Sequence, residues 1–504
     1  MLARYSTLGH RSLVIAVPIV LICFAVILSD TAYNENSKLR SWLPAFEGRD
    51  GATCPDVVDW LHGPEVAYPV AYARRDITII PRANVKREST KRIKKKLFPK
   101  LQNIDLTDGS AIRLQYCKTA IALEVPLVSS EPPNASATMF GLSTTLMELK
   151  ASIPRLARWL SGSQSSLLAL LENDLQNTTA STSTVQREKK VLESELQDWG
   201  IDTNILTLPG PQTQSAGHVL SLLKRMYDRR TDGTQWLSII DINTFFPSIS
   251  AVLFMLSRYD PTERHYIGAV SEAWWTVGHY GLMGNIRSGV FISIPLVEAL
   301  MDDLEHCEHV MHIADPVEDY RIMRCISELT DIKLTMDRSL RPLELDGDLS
   351  GIFESGEAPL SIYQRKKEMN HDHTLMAYDY TAMHQIADIC PSCFLQRWHF
   401  DADMILSSGY SIAQYPKGGL KEANLDYMEE TWEPPRHSEG LAFNPAEHSV
   451  GPTRPKFELG QDKLQHRLID SKVLQDGSVR QSYLRNGLAG EIDTLLELVW
   501  KLES

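Results

Sequence analysis

From about residue 137 onward, apolar positions alternate between two spacings along the chain. Leu142, Leu146, Leu149, Ile153, Leu156 and Leu160 recur at intervals of three and four. That is helical spacing, and Pro154 is expected to kink or split the helix. Ser166 to Leu171 is a short apolar run and predicts a buried strand. Val185 to Trp199 predicts a charged helix stopped by Gly200. Asn204 to Leu208 predicts a strand, His218 to Tyr227 a helix, and the run into Asp241 a further strand. Tyr266 to Ala269 and Val290 to Ser293 are also strand-like. Ser293 is expected to cap the next helix, with Pro295 in its first turn and Leu296, Leu300 and Leu304 on one face. Strands alternating with helices predict an α/β fold, a parallel sheet covered on both faces.

Outside this region the pattern differs. Residues 13–29 are almost wholly apolar and follow Arg4 and Arg11. The run is slightly short of the ~20 residues that span a typical bilayer, and short spans suit the thinner membranes of the early secretory pathway. The expectation is a signal anchor behind a cytosolic tail, residues 1–12, with the bulk of the chain lumenal. The alternative is a cleaved signal and a secreted chain, since Ser29-Asp-Thr-Ala32 is a passable cut site. Residues 30–136 are rich in Pro and charge, with strand-like pieces at Asp76 to Ile80 and Ala120 to Val125, and are expected to form a partly ordered stem. The apolar-patterned domain is expected over 137–416. Residues 417–504 are expected as a C-terminal extension packed on it, irregular to about Lys456 and patterned again from Val479 to Lys501.

The chain has 504 residues, 43% of them hydrophobic, which is ample for more than one module. Its net charge of -13 argues against nucleic acid as a partner. The basic run from Lys91 to Lys96 is read as a solvated stem segment. Of seven cysteines, Cys23 falls in the apolar run, which leaves an even six for an oxidising lumen. The expected pairs are Cys307 with Cys325 and Cys54 with Cys117. Cys390-Pro-Ser-Cys393 is expected as a local disulfide or two separate ones, since no second half of a zinc site accompanies it. Asn134-Ala-Ser136 and Asn177-Thr-Thr179 are glycosylation sequons.

The stretch with most chemistry is Trp236-Leu-Ser-Ile-Ile-Asp241-Ile-Asn243-Thr-Phe-Phe-Pro247. An apolar run ends at a lone Asp, and an aromatic turn follows. In open α/β sheets ligands bind beyond the carboxyl ends of the strands, where Asp241 would sit. This stretch resembles the Asp-Asp-Asp-Thr-Phe-Phe-Pro segment of fungal fringe-like glycosyltransferases of family 31, with Ile242 and Asn243 in place of the second and third Asp. The resemblance runs from Phe140 to about Trp500. It includes Tyr259-Asp-Pro261, Ser271-Glu272, Gly289-Val-Phe-Ile-Ser293, Gly347 to Gly356, Cys393 to Trp398 and Gly451-Pro-Thr-Arg454-Pro455.

What the resemblance implies is a GT-A-like, Rossmann-like mixed sheet flanked by helices, an inverting hexose transfer from a UDP-sugar to a glycan acceptor, and a Golgi membrane address. It places the donor diphosphate and a divalent cation, most naturally Mn²⁺, at Asp241 and Asn243. It also makes Asp319, in Val317-Glu-Asp-Tyr320, the catalytic base. Asp319 equally fits a solvated carboxylate at a helix start. Three departures cluster on this site. Asn243 carries no charge. The glycine-rich donor loop reads Asn285-Ile-Arg287-Ser-Gly289, although Gly289 itself is kept. The expected His-His element reads Tyr363-Gln364-Arg365, with His371 and His373 nearby. Two readings follow. Arg287 or Arg365 replaces the cation, since guanidinium grips phosphate oxygens; or the domain is a retired enzyme kept as a lumenal scaffold or glycan-binding module.

Overall fold

The apolar runs pair into a seven-stranded mixed sheet. Its order across the sheet is Thr335–Met336, Tyr266–Gly268, Val290–Ser293, Trp236–Ile239, Thr138–Thr144, Ser166–Leu171 and Asp202–Thr207. The last four run parallel. Val290–Ser293 is antiparallel to both its neighbours, and so breaks the all-parallel pattern expected from the alternation of elements. The computed structural model describes residues 56–57, 66–107, 112–127, 132–172, 182–207, 218–304, 306–307, 317–363, 380–421, 423–433, 449–487 and 490–503. The expected membrane span at 13–29, its flank 1–12, Cys54, Arg365, His371 and His373 lie outside the described residues. Among those described, no helix is long and apolar enough to cross a membrane. All of them belong to the unit Pro55–Ser504.

Alternation along the strands sorts side chains to two faces. Phe140, Leu142, Leu167 and Ala169 join one buried cluster, together with Leu149, Ile153 and Leu156 of the helix Leu146–Leu160. Met139, Leu168, Leu170, Leu237 and Ile239 join another. That second cluster is covered by the helices His218–Arg229, Ile294–Met301 and Glu318–Leu329. Leu142 therefore belongs to a strand and not to the helix its spacing suggested. The helix begins at Thr145, whose hydroxyl accepts from Glu148 N, and it runs through Pro154 without being split. Ser293 precedes its helix as expected, but its side chain does not cap it. Its hydroxyl is engaged instead with Glu263 O and His265 N, which ties the neighbouring strand in place.

A ten-stranded sheet is built from both flanks of this region. Val70–Arg82 runs parallel to Asp493–Leu502, from Val70 against Asp493 to Ile79 against Leu502. Ile121–Pro126 and Gln102–Ile104 also pair with Val70–Arg82. Arg397–Phe400, Met404–Ser407, Ser411–Gln414, Leu464–Val473 and Val479–Arg485 complete the run, with Thr90–Arg92 at its edge. Residues 70–126, within the expected stem, thus supply strands of the same sheet as residues 464–502. Ile77, Leu498 and Trp500 share a core cluster with Phe140, Ile153 and Leu156, so the two sheets enclose common apolar ground.

Cys307 and Cys325 form a disulfide, as do Cys390 and Cys393. The second excludes a zinc role for that pair. Cys117 is also disulfide-bonded.

Candidate functional site

The chain leaves Asp202–Thr207 at one edge of the seven-stranded sheet and re-enters it at Trp236–Ile239, on the other side of Thr138–Thr144. The strand order reverses there, and open sheets of this kind leave a crevice at the carboxyl ends beside such a reversal. Asp241 lies two residues beyond the Trp236–Ile239 strand and keeps partial exposure. It is neither sealed in the core nor free to swing. Asp241 Oδ1 accepts from Asn243 N at 2.7 Å and Asn243 Nδ2 at 3.0 Å. Asp241 N donates to Thr244 Oγ1, which itself donates to Arg287 O at 2.9 Å. This tight turn fastens the strand tip to the loop that carries Arg287.

Arg287 lies on the loop between the carboxylates. Its Nη1 pairs with Glu344 Oε1 at 2.7 Å, and its guanidinium lies 5.3 Å from the centre of the Tyr363 ring. Burial would lower its pKa, but Glu344 first, then Tyr363, Asp319 and Asp241, reverse that and raise it. The two aspartates predicted from sequence are therefore brought into the field of one cation. Asp319 sits in the first turn of the helix Glu318–Leu329 and accepts from Ile286 N at 2.9 Å. Dense surrounding protein pushes its carboxyl up to about 7; Glu344 adds to the rise, while the Ile286 N–H and Arg287 oppose it. By surface area the residue keeps partial exposure at the start of its helix. Glu344 is held in turn by Ser271 Oγ on its carboxylate and by Glu272 on its backbone N–H.

Other expected residues fall differently. Gly289 has φ +91°, a conformation that favours glycine. A Cβ there would lie 3.2 Å from the Phe246 ring. The close approach it permits is to the protein's own aromatic turn. Asn243 is only 7% exposed. Its Nδ2 is spent on Asp241, and its Oδ1 faces Arg155 Nη1 at 3.4 Å.

That arrangement decides against the expected divalent cation. Hard cations need several free oxygen ligands. Here Asp241 Oδ1 is already used twice, and the oxygen of Asn243 faces a guanidinium. Among the described residues, no group of three His, Cys, Asp or Glu is placed to hold a metal. These residues do not fit Mn²⁺.

Arg155 is the residue that sequence reasoning missed. It projects from the helix Leu146–Leu160, donates to Ser152 Oγ, and has its pKa lowered by burial against the opposing pull of Asp241 and Glu148. It stands 88 positions from Asn243, and nothing in its local sequence marks it. Glu344 had no motif either. His384 is fully buried and stacks on Phe245 with centroids 3.4 Å apart, which fixes the aromatic turn from behind.

No family model and no curated protein matches the chain. Solved structures give low-scoring likenesses. The glycosyltransferase GlyE of Streptococcus pneumoniae TIGR4 is 11% identical with a TM-score of 0.32, over 50% of this chain. The match spans 60% of the length of GlyE. Mouse xyloside xylosyltransferase 1 in its apo form is 11% identical, with a TM-score of 0.29 over 47% of this chain and 99% of its own. The galactosyltransferase LgtC in complex with donor and acceptor sugar analogues is 8% identical, with a TM-score of 0.30 over 50% of this chain and 95% of its own. At the carboxyl end of its sheet this chain sets a carboxyl, Asp319, against the loop whose guanidinium, Arg287, is of a kind suited to an anion.

Proposed function

We propose that the chain is a glycosyltransferase of GT-A type that moves a hexose from a UDP-sugar to a glycan acceptor with inversion, and does so without a metal ion. The carrying observation is geometric: the loop that carries Arg287 is hydrogen-bonded to Asp319 and to the Asp241 turn, and its guanidinium pairs with Glu344, beside the sheet's reversal point. In this reading Asp319 takes the proton of an acceptor hydroxyl as that oxygen attacks the anomeric carbon. The bond from that carbon to the diphosphate breaks on the opposite face. UDP leaves with the bonding electron pair, and Arg287 neutralises the growing charge on its phosphate oxygens. A base is most effective when its pKa lies near the working pH, and the value of about 7 suits that role. Asp241 positions rather than reacts: it closes the turn that holds the Arg287 loop. The Golgi address, the type II anchor through residues 13–29 and the lumenal site belong to the same proposal.

The purified chain incubated with UDP-hexoses tests it. Donor turnover is expected to persist with a chelator present, and Asp319→Asn should reduce it by about 10²–10⁴-fold, the usual contribution of a general base. UDP binding by Asp319→Asn should be unchanged, and Arg287→Ala should weaken it. Turnover that stops on chelation and returns with Mn²⁺ would overturn the metal-free mechanism. The unsuitable cation set also favours a second reading, a domain that binds UDP-sugar or glycan without turnover. Binding with no transfer to any acceptor, in wild type and Asp319→Asn alike, would establish that reading instead.

A further inference from the structure

The short helix Trp274–Tyr280 lies between the Tyr266–Gly268 strand and the loop that carries Arg287. Its Val277 is buried, as an inward position should be. Trp275 is 54% exposed. Its ring lies flat on His279, with centroids 5.2 Å apart and planes 5° from parallel. Tyr280 meets both rings edge-on, at 5.8 and 4.6 Å. Tyr280 in turn packs on Tyr320 at 5.1 Å. Tyr320 follows Asp319 directly in the first turn of its helix. A line of ring contacts thus leads from solvent to Tyr320, the residue next to the proposed base.

We propose that Trp275, backed by His279, is the subsite that seats a pyranose ring of the acceptor glycan. This deepens the transferase reading and rests on it. A pyranose presents a flat patch of C–H groups on one face and a rim of hydroxyls. An exposed indole matches that patch in area and leaves the hydroxyls to water and to neighbouring polar tips. The stacked His279 holds the indole in one orientation, so binding costs little side-chain freedom. The place of this line selects the acceptor over other occupants: a hydroxyl presented to Asp319 must belong to a sugar lying alongside it, and the rings end at the adjoining Tyr320.

Saturation-transfer NMR and calorimetry on the whole chain test this, with neutral β-linked disaccharides of galactose, glucose and N-acetylglucosamine as probes and no nucleotide present. At least one disaccharide should bind. Trp275→Ala should weaken it on the order of tenfold, the effect expected from losing one buried apolar contact of this size. Trp275→Phe should keep most of the affinity. Trp275→Ala should leave UDP affinity unchanged. In turnover, Trp275→Ala should raise the acceptor KM with kcat retained, the mark of a contact made equally in ground and transition states. The proposal is overturned if no disaccharide binds, if Trp275→Ala binds it as tightly as wild type, or if that change weakens UDP instead. Saccharide binding that depends on Trp275 without any donor turnover would sink the transferase reading and leave this subsite standing.

Discussion

At the scale of single residues, the site is a balance of charge in a crowded place. Asp319 carries the largest consequence. Burial lifts its carboxyl from the ordinary range to about 7. In its proposed role as base it must be ionised, so transfer is expected to rise as pH climbs through about 7, and the rise should disappear in Asp319→Asn. Stability runs the other way. A carboxyl whose folded pKa is raised favours the folded state below its unfolded value of about 3.9, and that contribution is lost as pH rises through about 7. Asp319→Asn cannot ionise and escapes the loss. Its melting temperature should exceed that of wild type at pH 8, and the gap should close by pH 4. A gap that stays constant between those pH values would show that Asp319 is solvated after all. Asn243 shows the same balance from another side: its amide closes the turn on Asp241 and its oxygen faces Arg155, so the position has a structural role in this chain.

At the scale of elements, the aromatic turn after the Trp236–Ile239 strand is the part on which the site is mounted. Phe246 packs at 4.9 Å on Trp159 and at 5.7 Å on Phe140, and His384 stacks on Phe245. Gly289 lies against the same Phe246. Gly289→Ala adds a Cβ at 3.2 Å from that ring and a positive φ that an L side chain rarely adopts. The expected cost is about 1–3 kcal/mol, read as a lower urea midpoint. Loss of donor binding with no loss of stability would mean that the glycine serves the ligand and not the turn. The helices and strands themselves were largely legible. Ser166–Leu171, Val290–Ser293 and the helix ending before Gly200 follow from spacing, because burial on one face leaves a local periodic trace. Leu142 was misplaced because a strand feeding straight into a helix keeps apolar residues at both spacings.

At the scale of the whole molecule, a buried charge network stands at the second sheet. Lys463, 1% exposed, pairs with Glu354 and, at 3.2 Å, with Glu429, which also receives Arg454 at 2.9 Å. Burial would raise the Glu354 carboxyl, but Lys463 overrides it and holds it below the ordinary value. The three partners come from the segment after Ser350–Phe353, the strand Met428–Glu430 and the start of Leu464–Val473. Lys463→Met leaves the buried Glu354 without its cation and Glu429 with Arg454 alone, and a broken buried pair typically costs about 3–5 kcal/mol. A large drop in urea midpoint at neutral pH is expected. Glu354 has a depressed pKa, so its contribution is present above the unfolded carboxyl value and lost as pH falls below it. The difference between variant and wild type should therefore shrink in acid. An undiminished difference at low pH would assign the cost to packing instead.

What the sequence determined by itself was local. Apolar spacing set most helices and strands, including the strand that ends just before Asp241. Tertiary structure alone decided the pairing of Val70–Arg82 with Asp493–Leu502, the inward turn of Asn243 against Arg155, and the gathering of Asp319 and Glu344 at the Arg287 loop. The reason is physical. Periodicity records only whether a side chain faces apolar ground, whereas strand partners and charge neighbours depend on segments hundreds of residues apart. A carboxylate's role is set by those neighbours, and they leave no mark on the sequence beside it.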